Sequence, residues 1–152
     1  MRAGLLCLVA PLLLFAAGAA AETPASLDAV RAEINPEKRA RLATDHARAS
    51  VKRVAEFYRE GKREEGAALL REIQQAVELT QESLEATGKP AHKMTKHYKR
   101  AEIQTRRLLG ELDDLDRKLD YDEREELQAV RARVEQVNRE LLMAIMAKKK
   151  KT

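Results

Sequence analysis

The sequence predicts an all-α protein, an antiparallel up-down-up-down four-helix bundle of two helical hairpins behind a cleaved signal peptide. Three observations predict it. Charged residues make up 36% of the 152-residue chain, aromatic residues only 3%, and Trp is absent, so helix formers such as Ala, Leu, Glu, Lys and Arg outweigh strand-type residues. Four stretches of about 25 residues place apolar side chains every three or four positions. Turn signals at Gly61, at Gly88-Lys89-Pro90 and around Asp120 fall between those stretches.

The N-terminus comes first because it leaves the fold. Arg2 precedes an apolar run from Leu5 to Ala17 that ends in Gly18-Ala19-Ala20-Ala21-Glu22. A cation, a short apolar run and small side chains three residues and one residue before the cut make residues 1–21 a secretory signal peptide, cleaved before Glu22. The run falls short of the ~20 residues that span a bilayer. Bulky Leu6 and the nearness of Met1 argue against a lipid attachment site at Cys7.

Cys7 is the one cysteine, so the mature chain of 131 residues, 152 less 21, holds no thiol for a disulfide, a zinc-thiolate site or a nucleophile. Arg2 leaves with the signal, and the 29 basic side chains become 28 against 25 acidic ones, a net charge of +3. That excess is too small to demand nucleic acid. An exported protein, periplasmic or secreted, is therefore expected, with no nucleic-acid partner and no transmembrane segment in the mature chain.

Residues 22–35 read as a linker in which Ser26 to Ile34 forms a short helix, with Leu27, Val30 and Ile34 on one stripe. The four-helix domain spans 36–147. Asn35-Pro36-Glu37 opens its first long helix, because Asn caps free amides, Pro fits the first helical position and Glu favours the positive end. The inward stripe reads Ala40, Ala43, Ala47, Val51, Val54 and Tyr58. After Gly61 a second helix resumes with Ala67, Leu70, Ile73, Val77, Thr80 and Leu84. Gly88 and Pro90 stop it.

From Met94 the seam Tyr98, Ala101, Thr105, Leu108, Leu112, Leu115, Leu119 steps by fours and threes, a heptad pattern. Asp120 and Asp122 each stand three residues before a Glu, so either can open the fourth helix as a capping box. Its stripe is Leu127, Val130, Val134, Val137, Leu141 and Ile145, and a polybasic tail, 148–152, ends the chain. The apolar run Leu141 to Ala147 is too short to span a bilayer. Burial in the bundle is expected there, with Leu142 or Met146 left for a dimer contact. An offset of 61 residues aligns Lys38-Arg39-Ala40 with Lys99-Arg100-Ala101 and Thr44 with Thr105, the mark of a duplicated hairpin.

Tyr58-x-x-Gly61, with Ala67 and Leu70 beyond, resembles the helix pair of a tetratricopeptide repeat. The resemblance covers residues 36–87, a single hairpin, and implies binding to other proteins. Lys96-His97-Tyr98-Lys99-Arg100-Ala101-Glu102, with Thr105-Arg106 and Leu112-Asp113-Asp114, resembles small exported bacterial helical proteins. That resemblance implies export and an all-helical fold, and brings no activity with it.

Catalytic signatures are missing. Neither His-Glu-x-x-His nor Glu-x-x-His occurs, the spacings that aim helical ligands at one metal. Gly61-Lys-Arg-Glu-Glu-Gly66 is followed by Ala67-Ala68 rather than the Lys-Ser or Lys-Thr of a phosphate loop. Ser26, Ser50 and Ser83 lack a nucleophile elbow. The run Asp114-Leu-Asp116-Arg-Lys118 lacks the third ligand and the glycine of a calcium loop. His92, Met94 and His97 cluster around the second loop and are the candidate metal or haem ligands, and His46 carries less weight. No resident cofactor is called for.

Charge is the stronger signal. The alternating topology gathers Lys38, Arg39, Arg41, Lys89, Lys93, Lys96, Lys99, Arg100, Lys148, Lys149, Lys150 and Lys151 at one end. The opposite end collects Glu111, Asp113, Asp114, Asp116, Asp120, Asp122, Glu123, Glu125 and Glu126. Bases at the positive start of the third helix oppose its dipole at about 0.3 to 1 kcal/mol per group. Local stability does not account for such a choice, which leaves two readings: a functional surface, or solvated helix ends whose charge is absorbed by cross-helix ion pairs, with Lys148 to Lys151 a soluble tail. The candidate binding residues are Lys89, Lys93, Lys96, Lys99, Arg100 and Lys148 to Lys151. The expected function is surface binding without catalysis, as an adaptor, chaperone-like binder or envelope assembly factor with a protein partner. The alternatives are a carrier of haem or copper, an anionic lipid or polysaccharide binder, and a homodimer.

Overall fold

The computed structural model describes residues 26–147, so the signal peptide expected at 1–21, the expected cleavage before Glu22 and Lys148 to Lys151 lie outside the described residues. Five α-helices follow in order: α1 (Leu27–Arg31), α2 (Pro36–Arg59), α3 (Arg63–Glu85), α4 (Thr95–Asp116) and α5 (Tyr121–Met146). A 3-10 turn, Ala91–Lys93, precedes α4. No strand occurs among the described residues.

The boundaries follow local chemistry. The Asn35 side chain accepts from the Lys38 N–H at 3.0 Å, with Pro36 at the first helical position. Gly61 (φ 75°) and Gly88 (φ 65°) take the left-handed turns after α2 and α3. Of the two candidate caps before α5, Asp120 is used: its N–H donates to Glu123 Oε2 at 3.1 Å and closes a capping box. The short helix exists, but it ends at Arg31 and Ile34 is 91% exposed. Ile34 therefore does not extend the stripe of Leu27 and Val30. The reason is local: Glu33 folds back to accept the Asn35 N–H at 3.0 Å and turns the chain into the α2 cap.

The core is made of the predicted stripes plus residues that periodicity did not reach. All eight members of the seam from Met94 to Leu119 are buried. In α3, Ala67 is half-buried instead, while Gly66, Leu69, Ala76 and Ser83 join the core. This helix touches α1, α2, α4 and α5, so its buried face is wider than a two-neighbour stripe. Leu27 and Val30 pack α1 onto α2 and α3. At the end of α5 burial holds in part: Leu142 and Met146, of which one or the other was expected outside, are both exposed, and Met143 departs from the expected burial. Leu141 is buried and Ile145 half-buried, yet Leu142, Met143 and Met146 are 43%, 69% and 71% exposed.

Side-chain bridges fix the helix directions. Arg39 Nε donates to Ser83 Oγ at 2.8 Å and His46 Nε2 lies 2.7 Å from Glu72 Oε1, so α2 and α3 run antiparallel. Arg131 Nε to Asp113 (2.6 Å) and Asn138 Nδ2 to Thr105 Oγ1 (2.7 Å) make α4 and α5 antiparallel. Across the hairpins the numbering rises together. His97 meets Glu37 and Arg48 meets Gln104, so α2 lies parallel to α4. Arg71 meets Glu126 and Gln81 meets Glu140, so α3 lies parallel to α5. The hairpins thus stack side by side, with α3 and α4 touching only lightly.

That stacking sets the 61-residue equivalents next to each other. Ala40 and Ala101 are both buried, and Thr44 and Thr105 are both buried with hydroxyls donating to the carbonyl four residues back, at 3.1 and 3.0 Å. Thr80 Oγ1 donates to Ala76 O at 3.0 Å, and Asn138 Nδ2 donates to Glu102 O at 2.9 Å as well as to Thr105. Thr80 Oγ1 also reaches Ala40 O at 3.4 Å, so these polar side chains tie α3 to α2 and α5 to α4. No buried side-chain nitrogen or oxygen among the described residues lacks a partner, so the cost of taking these groups out of water is offset by hydrogen bonds.

Candidate functional site

Because α2 and α4 are parallel neighbours, their N-terminal halves lie side by side at one end of the molecule. Small side chains face each other there. Ala40 and Ala101 cannot fill the space between the helices, and a cleft of about 290 Å³ opens above Thr44 and Leu84. Its rim carries Lys38 and Arg41 from α2 and Lys96 and Arg100 from α4. The two positive helix ends add to those four cations.

The cations differ in how far they are already neutralised. Lys38 Nζ lies 2.6 Å from Glu33 Oε2. That hydrogen bond, with the Asn35 N–H second, holds the Glu33 carboxyl below the usual carboxylate range. Arg41 has a long contact to Asp45, 3.5 Å. Lys96 and Arg100 make no ion pair with the described residues and are exposed. At the mouth, Glu37, the one acid among the lining residues, lies 3.4 Å from Lys89 Nζ and 3.3 Å from His97 Nε2. In α4 no acid occupies the first turn and no side chain caps it.

The predicted residues divide accordingly. Lys96 and Arg100 line the cleft, and Lys89 reaches its mouth through Glu37. Lys93 and Lys99 are exposed at the same end, outside the lining. Lys148 to Lys151 lie outside the described residues. His92, Met94 and His97 take three separate roles: His92 is exposed on the 3-10 turn, Met94 is buried with its sulfur accepting from Thr87 Oγ1 at 2.9 Å, and His97 faces Glu37. Among the described residues no three of His, Cys, Asp and Glu converge as a metal cluster. His46, buried against Glu72, ties α2 to α3.

Glu37 and Thr44 are the site residues that sequence reasoning passed over. Glu37 looked like a helix-start acid and Thr44 like an alignment match, and only the parallel placement of α2 and α4 turns them toward a shared cleft. The α2/α4 seam also continues beyond an Arg48 bridge to Gln104 and Glu111. There it opens into a groove of about 550 Å³ with Val51, Ala55 and Leu115 as its apolar wall and charges of both signs around it, Lys52 and Lys118 with Glu111 and Asp114.

At the acidic end ion pairs hold some of the acids, while Asp116, Asp120, Asp122 and Glu125 make none with the described residues. Asp113 meets Arg131, Asp114 meets Arg117, Glu123 meets Arg63 and Glu126 meets Arg71. No protein-family model, curated protein or solved structure matches this chain, so its functional reading rests on the geometry of the basic cleft.

Proposed function

We propose that the chain is a non-enzymatic exported protein, a four-helix bundle of two stacked hairpins behind a cleaved signal peptide. It acts as an adaptor or assembly factor by holding an acidic segment of a protein partner at its basic end. One observation carries this reading: Lys96 and Arg100, free of ion pairs with the described residues, stand on the rim of an alanine-floored cleft between two parallel helix starts. Carboxylates there meet guanidinium and ammonium donors and two positive helix ends. The long groove on the same seam has room for apolar side chains next to the acids.

The test is calorimetric titration of residues 22–152 with a glutamate-rich peptide at low and at physiological salt. Micromolar binding that weakens with salt is expected. Replacing Lys96 and Arg100 together by Ala is expected to weaken it about tenfold, from roughly 1.4 kcal/mol of lost charge interaction. Absence of binding at low salt, or binding indifferent to the double substitution, rejects the assignment.

A further inference from the structure

The basic cleft suits an acidic segment, and the molecule carries one at its opposite end. The turn between α4 and α5 presents Asp120, Tyr121 and Asp122, all three exposed. From Asp120 to Glu126 five acids stand against the single Arg124, a net charge of −4. Asp120, Asp122 and Glu125 make no ion pair with the described residues. Tyr121 stands between the first two of them, 88% exposed and the one exposed aromatic side chain among the described residues. It buries almost no surface in the bundle, so packing within the chain does not account for a ring at this position.

The cleft between α2 and α4 has the complementary parts. Its floor is apolar, with Ala40 and Ala101 short enough to leave room for a flat ring. Lys38 and Arg41 stand along one side and Lys96 and Arg100 along the other, so carboxylates flanking the ring meet cations from both helices. A cation beside the ring adds its own attraction to the aromatic face. Tyrosine suits such a place, since it buries an apolar body and keeps a polar tip in water. The 22 residues of α4 separate the cleft from the turn, about 33 Å at 1.5 Å per residue. A chain therefore cannot seat its own turn in its own cleft, and the occupant comes from a second copy.

We propose that the Asp120-Tyr121-Asp122 turn of one copy docks in the α2/α4 cleft of a second copy, joining the chains head to tail. The inference rests on the reading of the cleft as a holder of acidic segments, and it names this chain itself as the partner. Two features that local stability leaves unexplained then share one cause: bases at the start of α4 against its dipole, and acids without ion pairs at the α4/α5 turn. The contact joins unlike surfaces, so it is heterologous, and each added copy leaves one cleft and one turn free. One turn seated in one cleft is a small contact, and small contacts are transient.

Sedimentation equilibrium of residues 22–152, which contain every described helix, tests the contact. At low salt the average mass is expected to rise with concentration above that of one chain, and physiological salt is expected to reduce the rise. Two variants break the contact from opposite sides. Lys96→Glu with Arg100→Glu spoils the cleft, and Asp120→Asn with Tyr121→Ser and Asp122→Asn spoils the turn while Asn keeps the cap of α5. Each variant alone is expected to associate about tenfold more weakly with unchanged helical circular dichroism. Mixed, the two are expected to form a one-to-one pair, because the mixture holds one intact cleft and one intact turn. A chain that stays monomeric at low salt, association that survives either variant, or a mixture that does not pair overturns the proposal. If the monomeric chain still binds the glutamate-rich peptide, only the self-contact falls; if it binds neither, the reading of the cleft falls with it.

Discussion

Glu37 and His97 face each other across the mouth of the α2/α4 cleft, carboxylate Oε2 to imidazole Nε2 at 3.3 Å. The acid comes from the first turn of α2, where it suits the helix dipole, and it partly occupies the site that an acidic partner would use. Glu37→Gln should therefore act in opposite directions on stability and binding. The thermal melt should lose about 0.3–1 kcal/mol, while calorimetry should show the glutamate-rich peptide binding several-fold more tightly. Weaker binding would place the peptide elsewhere.

Lys96 and Arg100 occupy the first turns of α4 against its dipole and without ion pairs to the described residues. Replacing both by Gln should leave the melting temperature unchanged or raise it, with about 0.3–1 kcal/mol of added stability from Lys96 in the first turn. A large loss of stability would mark the two as structural.

Asn138 joins α5 to α4 by donating to Glu102 O and Thr105 Oγ1. Thr105 keeps its own bond to Ala101 O when the amide is removed. Asn138→Ala should therefore cost only about 1–2 kcal/mol in denaturant unfolding. Leu112→Ala, at a fully buried seam position, should cost about 2–5 kcal/mol by leaving a cavity.

Two glycines should respond with opposite signs. Gly61 has φ 75°, so Gly61→Ala should destabilise by about 1 kcal/mol although nothing lies within 4 Å of the added methyl. Gly110 lies inside α4 with open space around it, and Gly110→Ala should stabilise by about 0.5–1 kcal/mol. Thermal melts of the two variants check both.

Burial first, and the Glu85 charge second, push the Tyr98 phenol above its ordinary value of about 10. A raised folded-state value means that the fold favours the protonated phenol. The associated stability is complete below the unfolded-state value and is lost as pH rises through the folded-state value. Spectrophotometric titration should show a tyrosine ionising above pH 10. Tyr98→Phe should remove that step and flatten the alkaline decline of stability. Tyr58 should titrate late as well, from burial and from the nearby Glu123 and Glu126 charges.

Much of this protein was decided residue by residue along the chain. Asn35-Pro36, Gly61 and Gly88 set helix ends through backbone geometry, and the seam from Met94 to Leu119 set the buried face of α4 through its periodicity, because both effects act within one or two turns. The gathering of Lys89, Lys96 and Arg100 followed from alternating helix directions. The end of α5 shows the limit of such reasoning: Met143 matches a core in composition yet is exposed, because exposure depends on whether neighbouring helices extend that far. Only the tertiary structure decided that α2 lies beside α4 in parallel. That placement makes the cleft, brings Glu37 to His97 and opposes Ala40 to Ala101. Helical periodicity specifies which face of a helix is apolar, but the choice of neighbour depends on how side chains from distant segments fit and pair.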